Sequence, residues 1–293
     1  SLRRFMTLLP STRKPLSSYH PALYKLSLLR QRFPVWLRWY TTTKKIALTK
    51  SATHLPTRIT KHQSLLIRKL GTTDLQLQYN KIKNLKLATA AIDGVVVQPG
   101  ETFSVWRLVG EPTAKKGYVE GLLLSHGEAS VGICGGLCQL ANLLYWMALH
   151  SPLVVTQRYR HSFDAFPDSG RTLPFGSGAT LFYNYIDLQL YNPTNQPIQI
   201  CTWVTDDHLK GMILTTDILK ESYSIVERDH QFLTDGNKFY RANKLFCLVS
   251  DRMTGAFLRE EVVCENFCEM KYVPPEGTVV HPIDPKEVKL RSS

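Results

Sequence analysis

The sequence lacks several features that would assign it to a broad class at once. No apolar run approaches the roughly 20 residues that a membrane-spanning helix needs. Low-complexity tracts and regular internal repeats are also absent, which excludes a solenoid. Six cysteines in 293 residues are too few for a disulfide-stapled scaffold. What is present, 43% hydrophobic residues, suffices for one large globular domain or two small ones.

Acidic residues are missing from the first 70 positions. Residues 1–70 contain fifteen Lys and Arg, whereas residues 71–293 contain 21 basic and 24 acidic residues. Such a polycationic segment favours a polyanion, and the interleaved aromatics Trp36, Trp39 and Tyr40 favour an anionic membrane surface and make nucleic acid unlikely. The alternative is a solvated basic face that docks on the rest of the protein.

The first ten residues begin with basic side chains, but their apolar run is too short for a secretory signal and ends at Pro10. Together with the lack of a transmembrane segment, this predicts a cytoplasmic protein that is peripheral to the membrane. The alternative is an exported protein whose signal has been removed from the sequence.

The hydrophobic pattern predicts an α+β fold. Leu140, Leu143, Leu144 and Met147 form one apolar stripe of a helix that starts at Cys138. We expect this central helix, with a cysteine at its N-terminus, to pack on a mostly antiparallel sheet. Three segments are predicted: a basic, helical or irregular region (1–74), the core (75–205) and a small β appendage (206–293).

Shorter segments also carry local signals. Residues 75–79 alternate like a strand, residues 84–92 suit a helix that ends near Gly94, and the glycine-rich residues 125–137 predict a loop. Asp235-Gly236 between two alternating runs predicts the tip of a hairpin.

Two cysteine pairs have the same C-x3-C spacing, Cys134 with Cys138 and Cys264 with Cys268. Together they offer four sulfur ligands for zinc, but the usual zinc spacing is C-x2-C and no second motif supports a site. We therefore predict no metal and no cofactor.

The segment with the strongest chemical signal is Gly135-Gly136-Leu137-Cys138-Gln139, where a loop becomes a helix. Free N–H groups and the positive end of the helix dipole stabilise a thiolate at such a place and lower its pKa. The same N–H groups, with the Gln139 amide, are candidates for an oxyanion hole. Gly135 and Gly136 would let a substrate approach the backbone.

A nucleophilic thiolate needs a base, and His161 on the following strand is the candidate. Arg158 and Arg160 are candidates for binding a substrate carboxylate, because guanidinium matches it bidentately. The order of cysteine on a helix and histidine on a strand is that of papain-like and NlpC-like hydrolases, an analogy of order alone.

The group that would orient His161 stays open. The candidates are Asp164, Asp168, Asp187 and Asn192, and Asp187 is also a candidate substrate contact. The bland alternative is that Cys138 is a small buried hydrophobe and His161 an ordinary surface residue.

Several segments resemble the motifs of the VanW family, in sequence and in order. They are Asn84-Leu85-Lys86-Leu87-Ala88, residues 94–104 (GVVVQPGETFS), Gly117-Tyr118, Gly135-Gly136-Leu137-Cys138-Gln139, Asn142-Leu143-Leu144-Tyr145 and residues 158–162. The resemblance is closest to the short members encoded with glycopeptide-resistance genes, and it is strong over residues 80–205.

The resemblance implies a role in the cell wall. Family members are reported to act as L,D-transpeptidases that cross-link peptidoglycan stem peptides through a cysteine, so Cys138 is similar to the nucleophile and His161 to the base. This chain departs from the family at two places. Cys134 replaces the first of three glycines, which gives a possible disulfide partner for Cys138, and Gly178-Ala179-Thr180 stands where Asp-Ala-Thr is common.

Three hypotheses follow. The first is a cysteine-dependent transpeptidase or peptidase that acts on a stem peptide. The second is an accessory module that binds a peptidoglycan precursor or a glycopeptide without turnover. The third, compatible with both, is a membrane-surface scaffold that acts through residues 1–70.

Overall fold

The computed structural model describes residues 21–67, 75–125, 128–160, 163–164 and 173–292. The helices are α1 (Pro21–Thr41), α2 (Leu75–Ile92), α3 (Val105–Val109), α4 (Cys138–Leu149) and α5 (Pro285–Ser292). The strands are β1 (Lys45–Ile46), β2 (Thr57–Leu65), β3 (Val95–Val97), β4 (Glu101–Ser104), β5 (Glu120–Ser125), β6 (Glu128–Ile133), β7 (Val154–Gln157), β8 (Phe163–Asp164), β9 (Gln189–Tyr191), β10 (Ile198–Val204), β11 (His208–Thr215), β12 (Glu221–Thr234), β13 (Phe239–Asp251), β14 (Phe257–Met270) and β15 (Val280–Pro282). The predicted α+β class is confirmed.

The central helix α4 packs on an antiparallel sheet with the strand order β2-β11-β10-β3. Its apolar stripe fills the space that a glycine leaves open in β11. A Cβ on Gly211 would lie 2.7 Å from Met147 Cε and 2.9 Å from Leu143 Cδ2, so the helix approaches the strand closely. The predicted helix from Cys138 is confirmed, and it sits on the predicted kind of sheet.

Helix α2 packs on the same face of this sheet, with Leu85, Ala88 and Ile92 fully buried. The predicted helix over residues 84–92 is confirmed, but residues 75–79, predicted as a strand, form its first turns. The alternation there is too short to compete with continuation of the helix. The helix ends before Gly94, where φ is +76° and a Cβ would lie 2.5 Å from the Ser51 carbonyl oxygen.

Strands β5 and β6 pair antiparallel, so the loop predicted over residues 125–137 was wrong for residues 128–133. The glycine in β6 weakens the strand pattern in the sequence. In the structure, a Cβ at Gly132 would lie 2.6 Å from Leu123 Cδ1, so the Leu123 side chain packs over this glycine.

Among the described residues of the basic N-terminal region, 21–67, the helical part is α1. Strand β2 pairs with β11 about 150 residues later in the chain, and it shows the alternating exposure of a strand with one face on the core. The predicted boundaries after residues 74 and 205 fall between strands of this one sheet. Strand β2 comes from the first predicted segment, β3 and β10 come from the second, and β11 comes from the third.

Beyond the core sheet, the chain forms a five-stranded sheet with the order β15-β12-β13-β14-β8. It has a small apolar cluster of its own, which includes Leu233, Tyr240 and Phe267. The predicted Asp235-Gly236 hairpin joins β12 to β13, and Gly236 has a φ of +90°. Across the described ranges, no helix combines the length and apolarity needed to cross a bilayer.

Candidate active site

Cys138 is the first residue of α4, and its side chain is partly exposed. The turn that leads into the helix is closed by backbone hydrogen bonds, from Gln139 N–H to the Gly136 carbonyl (3.1 Å) and from Leu140 N–H to the Leu137 carbonyl (3.0 Å). Two of the N–H groups that usually remain open at a helix start therefore already have acceptors within the loop.

The glycines before Cys138 serve close packing of backbone on backbone. A Cβ on Gly135 would lie 2.1 Å from the carbonyl carbon of Gly121, closer than any real contact. Gly136 has a φ of +92°, in the left-handed region that favours glycine. Their predicted role in letting a substrate approach remains a prediction.

The side chain of Asn84, in α2, holds this loop in place through hydrogen bonds to its backbone. Its side-chain amide donates to the carbonyls of Val119 (2.9 Å) and Gly135 (3.0 Å), and its carbonyl accepts from Val119 N–H at 2.9 Å. The side chain is fully buried, so these bonds form away from water and hold the loop firmly.

A segment 40 residues downstream lies directly against the helix start. Thr180 Oγ1 is 3.6 Å from Cys138 Sγ, a hydrogen-bonding contact in which either group can donate. The backbone of this segment is held by Asn142, one turn along α4, which accepts from Ala179 N–H at 2.7 Å. Thr180 N–H donates to the Tyr159 carbonyl at 2.8 Å.

Thr180 was not among the predicted site residues. The available signal was the family motif at Gly178-Ala179-Thr180, which the sequence analysis considered only for its missing aspartate. A Cβ at Gly178 would lie 2.9 Å from Asn142 Oδ1, so this position also borders α4.

The two predicted carboxylate-binding arginines contact protein carbonyls. Arg158 donates to Gly178 O (2.9 Å from Nε) and to Gly176 O, and its guanidinium stacks 4.3 Å from the Tyr145 ring centre. Arg158 thus secures the loop that carries Thr180.

Arg160 points toward β14, where it donates to the Glu265 carbonyl and to Asn266 Oδ1, both at 3.1 Å. In this structure both guanidinium groups therefore bind protein acceptors near the site.

The Gln139 amide is directed away from the thiol. Its Nε2 donates to Ser64 Oγ and to the Leu65 carbonyl, both at 2.8 Å, so both amide hydrogens bind strand β2. This side chain ties the start of α4 to the edge of the core sheet.

Asp187, the predicted substrate contact, is only 2% exposed. Its oxygens accept from Ser104 Oγ (2.6 Å), Trp106 N–H (3.2 Å), Leu188 N–H (2.9 Å) and Gln189 Nε2 (3.2 Å). Burial raises its pKa to about 6, and these four bonds act in the opposite direction. A ligand would have to displace them to reach the carboxylate.

The other candidates for orienting a histidine are engaged elsewhere or lie outside the described residues. Asp164 pairs with Arg241 in the C-terminal sheet, and the Asn192 amide binds the carbonyls of Val97 and Gln196 at 2.8 Å. His161 and Asp168 lie outside the described residues.

Cys134, four residues before Cys138, is a free thiol in a left-handed backbone conformation with a φ of +66°. Burial raises its pKa to about 12, with a smaller contribution from Cys138 and an opposing one from Arg32. No disulfide links the two cysteines in the structure. In the part of the chain that is described, no three His, Cys, Asp or Glu side chains are grouped so that they could hold a metal ion.

Comparison with known proteins identifies the family of the chain. The family model described as VanW like protein matches residues 80–214. The vancomycin B-type resistance protein VanW of Enterococcus faecalis strain V583 is 32% identical over 204 residues, which span 70% of this chain and 74% of that protein. This chain belongs to the VanW family.

A second similar protein is the uncharacterized protein YoaR of Bacillus subtilis strain 168. It is 37% identical over 120 residues, which cover 40% of this chain and 37% of YoaR. No solved structure matches the chain significantly. The VanW match runs from α2 to β11 and contains Cys138, Asn142 and Thr180, whereas β12–β15 lie beyond it.

Proposed function

We propose that this VanW-family chain acts in the cell-wall chemistry of glycopeptide resistance, through acyl transfer at Cys138 on peptidoglycan stem peptides. The observation that carries the proposal is the position of the thiol. Cys138 is partly exposed at the start of α4, beside the Thr180 hydroxyl and inside the VanW match. The name of the Enterococcus relative supports the resistance context.

The reaction needs no cofactor. The Cys138 thiolate attacks an amide carbonyl carbon of the stem peptide, a C–S bond forms, and the carbonyl π electrons move to oxygen. Collapse of this intermediate breaks the C–N bond, and the amine leaves with a proton from the general acid, for which His161 remains the prediction. An amine of a second stem peptide, or water, then attacks the thioester and releases the thiolate.

The oxyanion needs a donor close to the sulfur. The Gln139 amide binds β2, so we assign this role to Thr180, whose hydroxyl lies 3.6 Å from Cys138 Sγ. Asn142 and Arg158 are positioning residues, because they hold the backbone on either side of Thr180.

The test is acyl-enzyme formation. Incubation with stem tetrapeptides and pentapeptides should add the acyl mass to the intact wild-type protein, as seen by mass spectrometry, and to Cys134→Ser. Cys138→Ser should show no adduct, and Thr180→Val should form it about tenfold to a thousandfold more slowly, as for loss of one oxyanion donor. Circular dichroism checks the fold of each variant. Equal adduct formation by Cys138→Ser would rule out the nucleophile.

The second candidate function is an accessory module that binds a precursor or a glycopeptide without turnover. It is favoured by the engagement of Gln139, Arg158 and Arg160 with protein groups, because side chains held in this way serve to shape a binding surface. In that case no adduct forms in any variant, and Cys138→Ser binds stem peptide or vancomycin as tightly as wild type in calorimetry.

A further inference from the structure

Helix α1 presents an apolar face to solvent. Five large apolar side chains are between 50% and 63% exposed: Leu26, Leu29, Phe33, Trp36 and Leu37. Their spacing places them within about 100° of one another around the helix axis, because successive residues turn by about 100°. They form one continuous surface, here called the α1 stripe.

The face of α1 that adjoins the stripe is docked on the protein through Arg32 and Trp39, and this fixes the direction of the stripe. Arg32 donates to the Tyr183 carbonyl and to Glu111 Oε1, both at 3.1 Å. Trp39 lies 6.3 Å from the Tyr183 ring and 5.2 Å from the Arg107 guanidinium, measured at the ring centres. Rotating the helix to bury the stripe would break these contacts.

The surroundings of the stripe are cationic. Arg30 and Arg38 are exposed on α1 itself, and Lys44 and Lys45 are exposed directly after it. No acidic residue occurs between residues 21 and 67, although this stretch contains nine Lys and Arg. Such a surface combines apolar anchors with an uncompensated positive charge.

An anionic lipid bilayer matches both properties. Leucine, phenylalanine and tryptophan enter the boundary between headgroups and acyl chains, while Lys and Arg stay with the lipid phosphates. A nucleic acid would account for the charge but leave the apolar stripe in water. We propose that α1 is an interfacial membrane anchor that lies in the surface of an anionic bilayer, with the α1 stripe inserted.

The test compares two phenylalanines of almost equal exposure. Phe33 is 61% exposed in the stripe, and Phe257 is 63% exposed at the start of β14. Co-sedimentation uses vesicles of phosphatidylcholine with and without about one third phosphatidylglycerol. Wild type should bind the anionic vesicles and release from them as salt rises. Phe33→Glu should bind at least about tenfold more weakly than wild type, because it loses an inserted side chain and adds a negative charge. Phe257→Glu should bind like wild type.

Neither variant removes a buried contact, so circular dichroism and melting temperature should match those of wild type. Failure of the wild type to bind anionic vesicles overturns the proposal, and so does an equal loss in the two variants. Size-exclusion chromatography with light scattering tests whether the α1 stripe instead binds a second copy of the chain. If wild type self-associates and only Phe33→Glu is monomeric, while vesicles capture neither, the stripe binds a second copy and the membrane assignment is wrong.

Discussion

The two C-x3-C pairs have the same spacing in sequence, but their second cysteines, Cys138 and Cys268, lie in different surroundings in the structure. Cys134 and Cys138 lie at a junction of loop and helix, where the second sulfur is partly exposed and contacts Thr180. Cys264 and Cys268 lie along β14, and Cys268 is 8% exposed. Burial raises the Cys268 pKa to about 12, with a smaller contribution from Asp164.

The difference shows that the backbone around a thiol decides its chemistry. A strand gives Cys268 neighbours on both sides of the ladder and no helix start, so its thiol stays neutral and inaccessible. Cys138 follows a glycine-rich loop, is the first residue of helix α4 and is partly exposed. The predictions below test this contrast by exposing Cys268 or by displacing the loop that precedes Cys138.

The largest effect is expected from Arg241→Ala, which should expose the buried thiol of Cys268. Arg241 pairs with Asp164 at 3.2 Å, and both side chains are 4% exposed. Removal of the arginine leaves a buried carboxylate without its partner, so the free energy of unfolding should fall by about 3–5 kcal/mol. Urea unfolding measures this loss, and alkylation of Cys268 should become faster while that of Cys138 stays unchanged.

The matched control is Arg259→Ala. Arg259 also pairs with a carboxylate, Glu221 at 2.7 Å, but its side chain is 45% exposed. A surface pair of this kind contributes about 0–1 kcal/mol, so the unfolding curve should hardly move. Equal losses of unfolding free energy in the two variants would show that the Arg241–Asp164 ion pair does not stabilise the C-terminal sheet.

A smaller effect is expected from Gly135→Ala, which displaces the loop between Cys134 and Cys138. The new Cβ would collide with the Gly121 backbone, so the loop must move at a cost of about 1–3 kcal/mol. The rate of Cys138 alkylation should change with it.

Gly236→Ala is the control for this substitution, because a Cβ there meets no atom within 4 Å. It carries only the strain of a left-handed residue, about 1–2 kcal/mol, and should leave Cys138 alkylation as in wild type. A Gly135→Ala protein with unchanged stability and alkylation would contradict the role given to the glycine loop.

The parts of the fold that the sequence predicts are those with local causes. The stripe of Leu140, Leu143 and Met147 is enough to specify α4, and Asp235-Gly236 is enough to specify a hairpin tip. Strand β2 was missed because its partner, β11, lies about 150 residues away, and isolated alternation among Lys, Arg and Thr is a weak signal.

The site follows the same rule. Cys138 was predicted from the change of pattern at one point in the chain. The contacts of Gln139 with Ser64, and of Thr180 with Cys138, join positions 75 and 42 residues apart, and no local pattern specifies them. The same holds for Asp187. The sequence offered it as a candidate from its residue type, and only tertiary packing shows that it is buried against the start of α3.

The most direct test of the central claim is the alkylation of all six cysteines, followed by peptide mapping across about pH 4 to 10. We predict that Cys138 is labelled first and from the lowest pH. Cys134 and Cys268, whose pKa values burial raises to about 12, should remain unlabelled while the protein is folded, because almost none of either thiol is ionised below pH ~10. Labelling of Cys138 only on unfolding, or no earlier than Cys134, would contradict the assignment of Cys138 as the reactive thiol.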